Sequence, residues 1–178
     1  HPSTIYYRML HSACSPSDGN VHPHGQRHAA HYFYPFVINP LAYKEFKELG
    51  VTDGYTEEDY QNFKRTALVS ATAFATNAKE GCENEFAMFV ETEPHLYLPN
   101  LTQYITFEKG ENKNTIHISA GEVLATLKEQ IKSIEIYYNP STTEIADDLE
   151  GAKYYHIVKR GVIYESTKIY PFGENSIF

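Results

Sequence analysis

The chain has 178 residues, 42% of them hydrophobic and 21% charged, and its 23 acidic against 15 basic side chains leave a net charge of −8. That composition suits one globular domain with a core of its own. It excludes a nucleic-acid binder driven by bulk positive charge, while leaving room for a local basic stripe, because phosphates respond to charge within a Debye length.

Residues 1–30 contain the run SPSDGNVHPHGQRH, dense in turn-forming Pro, Gly, Asp, Asn and Ser, and are expected to form an irregular arm or thumb-like loop. Residues 31–178 are expected to form the folded domain. His31 to Ile38 (HYFYPFVI) reads as the first strand, aromatic and β-branched, with Pro35 marking an edge or a bulge. Leu41 to Leu49 predicts a short helix stopped by Gly50. A longer helix starts at Thr56, an N-cap followed by Glu57, Glu58 and Asp59, where the helix dipole favours negative charge. Its apolar face is Tyr60, Phe63, Ala67, Ala71 and Phe74.

Glu85 to Glu91 predicts a strand, and His95 to Leu98 a shorter one. Tyr104 to Phe107 and Thr115 to Ile118 flank EKGENKN as a hairpin. Ser119 and Glu122 have capping-box spacing before a second helix with Val123, Leu124, Leu127 and Ile131 on its apolar face. Ser133 to Tyr138 alternates as a strand, and YYHIVKR and VIYEST make a C-terminal β extension. From His31 to Tyr138 the order is βαββαβ, which predicts an α+β fold of the ferredoxin-like, RRM-like kind.

Fifteen tyrosines and ten phenylalanines suit sheets, packing interfaces or base stacking. Five of the nine histidines lie between His11 and His31, in a Gly/Pro-rich stretch without the rigid frame that a catalytic zinc site needs; a solvated histidine-rich arm is the default reading, and no metal or other cofactor is expected. Carboxylates cluster only at a helix start and at Asp147, Asp148 and Glu150, so no catalytic residue is assigned. Phosphate-loop, dinucleotide and nucleophile-elbow motifs are absent. The best binding candidate is the loop after the long helix. Asn77 and Lys79 can donate to phosphate oxygens, and Gly81 permits close backbone approach, although a plain helix-to-strand turn has the same composition. Lys64 and Arg65 on the preceding helix add positive charge. No apolar run approaches the roughly 18 residues of a membrane span. Cys14 and Cys82 make no disulfide framework, which points to a reducing, cytoplasmic setting.

The segments HAAHYFYPFVINPLAYKEF, GYTEEDYQNFKRTALVSATAFATNAKEGCENEFAMFVE, LYLPN and IKSIEIYYNPSTTEI resemble the backbone subunit of type I-B CRISPR Cascade complexes, a branch of the RAMP superfamily. The resemblance spans residues 28–145, about two thirds of the chain, and leaves out residues 1–27. It implies an RRM-like palm in a non-catalytic subunit that grips the sugar–phosphate backbone of CRISPR RNA and leaves its bases free for target DNA. Copies of the chain itself and other Cascade subunits are then its partners. Asn77, Lys79 and Gly81 are the residues it puts on the RNA, with Lys64, Arg65, His28 and His31 beside them. Family members carry an N-terminal half ahead of the matched part, which this chain is expected to lack. Two alternatives stay open: a truncated homologue acting as an interaction module or decoy that caps Cascade, and a metal-dependent enzyme using the histidine arm.

Overall fold

The computed structural model describes residues 4–13, 30–73, 83–160 and 163–169. Strand β1 (Thr4–Ala13) pairs antiparallel with β2 (Ala30–Ile38). For residues 4–13 this corrects the reading of 1–30 as irregular, and residues 14–29 lie outside the described residues. TIYYRMLHSA carries the β-branched and aromatic content of a strand, and the turn-forming residues that suggested a loop begin only after Ala13. Asn39 then starts a 3-10 turn (Pro40–Tyr43) by accepting from the Leu41 N–H at 2.9 Å, and α1 (Lys44–Glu48) continues from it. Gly50, at φ +69°, ends α1: Val51 N–H reaches the Phe46 carbonyl and Gly50 N–H that of Lys47. This is a Schellman stop, and the left-handed residue in it favours glycine.

Helix α2 (Glu57–Ala73) begins where the sequence predicts. The Thr56 hydroxyl accepts from the Asp59 N–H at 3.2 Å, and the Asp59 carboxylate accepts from the Thr56 N–H at 2.8 Å, a reciprocal cap. Tyr60, Ala67, Leu68 and Ala71 are buried against the sheet, Phe63 is half-buried, and Phe74 lies outside the described residues.

Strand β3 (Glu83–Thr92) pairs antiparallel with β1. Residues 95–98 form no strand; Leu96 and Leu98 are pinned in the core while Tyr97 is exposed. Strands β4 (Ile105–Glu108) and β5 (Asn114–Ile118) form the expected hairpin. A Cβ on Gly110 would collide with the Lys113 carbonyl oxygen, so the turn requires glycine. The second helix, α3, is only Gly121–Thr126 and is followed by a 3-10 turn. The predicted capping box does not form, because the Ser119 hydroxyl donates to the Tyr104 carbonyl at 3.0 Å instead of capping the helix. Strands β6 (Ile131–Tyr138), β7 (Thr143–Ile145), β8 (Ala152–Arg160) and β9 (Ile163–Ile169) complete the chain.

The protein is a mixed α+β fold, compatible with a ferredoxin-like plan. One sheet has six strands in the order β2-β1-β3-β6-β8-β9, and the hairpin lies in a second sheet, β4-β5-β7. Pro35 falls on β2, at the edge of the large sheet, where a missing N–H costs least. The C-terminal strands are members of this sheet, with β8 parallel to β6. Phe86, Met88 and Val90 of β3 face the small sheet and α3, while Ala87 and Phe89 face α2. Thus β3 is buried on both sides, which explains its unbroken apolar run.

Candidate functional site

The registers bring together one end of the large sheet. Ser12 of β1 is flanked by His31 of β2 and Glu83 of β3. Phe86 of β3 lies beside Tyr138 of β6, and Tyr138 beside His156 of β8. Strand β8 runs on past that point to Lys159 and Arg160 before turning into β9. Lys113, just before β5, is close enough to His156 to help hold its imidazole below the usual range, after the larger effect of burial. The end of β1, the starts of β2 and β3, the ends of β6 and β8 and the start of β5 therefore lie along one end of the fold.

Of the residues picked from sequence, His28, Asn77, Lys79 and Gly81 lie outside the described residues. His31 is in β2 at the gathered end. Arg65 is exposed midway along α2. Lys64 faces inward. Its ammonium is ion-paired with Glu135 of β6, lies 5.3 Å from the centres of the Tyr60 and Phe89 rings, and is largely shielded from water. Glu135 also accepts from the Tyr137 hydroxyl at 2.9 Å. Lys64 thus serves the α2–sheet contact, a role hidden from a helical count that assigns lysines to the solvent side.

At the same end, Asn84 ties α2 to β3. Its side chain is buried, its oxygen accepts from the Ala71 N–H at 2.9 Å, and its nitrogen donates to the Ala67 carbonyl. Next to it, Glu85 is also buried, receives a 3.4 Å bond from the Asn114 amide, and is pushed up to about 7 by burial, with Glu83 adding to the effect. A carboxyl raised in the folded state binds its proton more tightly there than in the unfolded chain, so stability falls as pH rises from about 4.5 through about 7. Glu85→Gln is therefore expected to raise the unfolding free energy by about 1–3 kcal/mol at about pH 8 and to change it little near about pH 4. Urea denaturation at the two pH values checks this, and an equal effect at both would refute it.

Two clefts escaped the sequence reading. One, of about 520 Å³, lies between α3 and the β7–β8 loop; it has an apolar floor including Leu124 and Ile134, and Lys128, Lys132 and Glu150 at its rim. The other, of about 270 Å³, lies at the opposite end of the large sheet from the gathered segments and is lined by Phe36, Tyr43, Tyr55 and Tyr60. The spacing of Tyr43, Tyr55 and Tyr60 was visible in sequence, but only the fold brings them to one cleft with Phe36. Among the described residues no group of three or more His, Cys, Asp or Glu is arranged to hold a metal ion, and His22, His24 and His28 lie outside them. No helix among the described residues is long and apolar enough to cross a membrane.

No protein-family model matches the chain, and no curated protein or solved structure matches it significantly.

Proposed function

We propose that this chain is a non-catalytic CRISPR RNA-binding subunit of a Cascade-like complex, working in the cytoplasm. The observation that carries the reading is the gathered end of the large sheet. The starts of β2 (at His31) and β3 (at Glu83) and the end of β8, which carries Lys159 and Arg160, lie along it, while Arg27, His28, Asn77 and Lys79 lie outside the described residues. Basic residues along one end of a sheet can grip phosphates despite a net charge of −8, because only nearby charge acts on them at physiological salt. The likeness of residues 28–145 to Cascade backbone subunits supports the choice of CRISPR RNA as ligand and of target DNA, paired to that guide, as the further partner.

A specific observation favours a second reading, an interaction module that docks on other Cascade subunits. Phe46, Leu49 and Val51, around the end of α1, and Tyr34 and Val37 on edge strand β2 are exposed apolar side chains. Exposed apolar side chains of this kind can serve a protein contact, and copies of the chain or neighbouring subunits fit them equally well.

One experiment separates the two. Lys79→Ala with Arg160→Ala is expected to weaken binding of single-stranded guide RNA and to lower the slope of log affinity against log salt by about 1.4, two contacts at about 0.7 each. An unchanged slope in a variant with unchanged circular dichroism refutes the RNA site. Co-purification with Cascade subunits in the absence of RNA then favours the module.

A further inference from the structure

We infer that the aromatic cleft formed by Phe36, Tyr43, Tyr55 and Tyr60 is a binding site for a small organic cation with an alkylated ammonium head. The cleft holds about 270 Å³ and is half-open, and its lining combines these rings with the Asp59 carboxylate. It lies where the end of β2 meets the loop before α2 and that helix's first turn. Phe36 and Tyr43 are each close to half exposed, and stacking on Phe63 at 4.8 Å holds Phe36 in place.

The charged residue lining the cleft is acidic. Asp59 lines it, and its carboxyl is kept below the usual range by the backbone and side-chain bonds to Thr56, so it stays ionised. Glu57 and Glu91 lie near enough to act on Tyr55, which burial chiefly, and these carboxylates next, push up to about 12. The same two carboxylates act on Tyr60, along with Glu135. Of the nearby cations, Lys64 lies 5.3 Å from the Tyr60 ring with its charge balanced by Glu135, and Lys44, next to Tyr43, is paired with Glu48. An aromatic lining within a negative field favours a cation that sheds water easily, because the faces of the rings are electron-rich and an alkylated ammonium is weakly hydrated. A neutral ligand of the same shape gains only the apolar contact.

This site is at the far end of the sheet from the proposed RNA surface, and it stands whether or not the chain binds RNA. Choline and its neutral isostere 3,3-dimethylbutan-1-ol are the probes, followed by calorimetry or saturation-transfer NMR on the full chain. Choline is expected to bind, and to bind about fivefold or more tighter than the isostere. Tyr43→Leu keeps apolar bulk but removes the π face, and is expected to weaken choline about fivefold while leaving the isostere nearly unchanged. Tyr43 is about half exposed, so the variant is expected to fold, which circular dichroism verifies. Equal binding of the two probes, no choline binding to the folded chain, or an unchanged affinity in Tyr43→Leu overturns the assignment.

Discussion

Lys64→Met is expected to lower the unfolding free energy by about 3 kcal/mol at neutral pH, the scale seen when one partner of a shielded ion pair is removed. The loss comes mainly from Glu135, which is left beside Tyr60, Phe89 and Tyr137 with the Tyr137 hydroxyl donating to it. Burial and the Glu135 charge hold the Tyr137 phenol far above its ordinary range, so it stays protonated and keeps its proton to donate to Glu135. In the variant the lone carboxylate takes up a proton more readily in the folded state than in the unfolded one. The destabilisation should therefore shrink as pH falls toward about 5. Adding Glu135→Met removes the stranded charge and should recover most of the loss, since an apolar pair of similar volume often replaces a buried ion pair at little cost. Urea denaturation of the single and double variants at two pH values measures all three quantities. A single variant as stable as the parent would show that the pair contributes nothing.

Asn84→Asp is nearly isosteric, yet should cost about 3 kcal/mol or more at neutral pH. The carboxylate can still accept from the Ala71 N–H, but it has no proton to donate to the Ala67 carbonyl, and two acceptors then face each other in a fully buried site. Protonation restores the donor, so the folded-state pKa rises and stability returns as pH falls below it. Asn84→Ala, which creates no charge, should cost less and show no such pH dependence. If the Asp variant matched the Ala variant at every pH, the two-bond tie to α2 would be refuted.

The legible parts of the fold were those whose signals are local. Helix α2 was written in Thr56, the acidic first turn and the Tyr60–Ala67–Ala71 stripe, all satisfied within a few residues of chain. The edge position of β2 was written in Pro35. Parts decided by distant partners were not. Strand β1 finds its neighbours in β2 and in β3, far along the chain, so the turn-rich run after it dominated the reading. The capping box at Ser119 failed because the Tyr104 carbonyl, across the β4–β5 hairpin, claims the hydroxyl. The hairpin itself was visible, but its membership of a second sheet was not, since that depends on pairing with β7.

The candidate site shows the same division. Residue types suited to phosphate were readable in Asn77, Lys79 and Arg65. Which strand ends share one end of the sheet depends on register between strands many residues apart, which no local pattern encodes. Lys64 was misjudged for a related reason: its inward position follows from Glu135 and three rings supplied by other elements.

The double-sided burial of β3 also has a consequence for the chain before it is folded. FAMFV carries no charge, no proline and no glycine, and has no polar face that would make it soluble alone. Exposed in a nascent or heat-opened molecule, it is the kind of segment that stacks with its counterpart in another chain. Glu83 and Glu85 precede it, and Glu91 and Glu93 follow it. These four carboxylates act as gatekeepers, repelling like copies until α2 and the small sheet close over the strand.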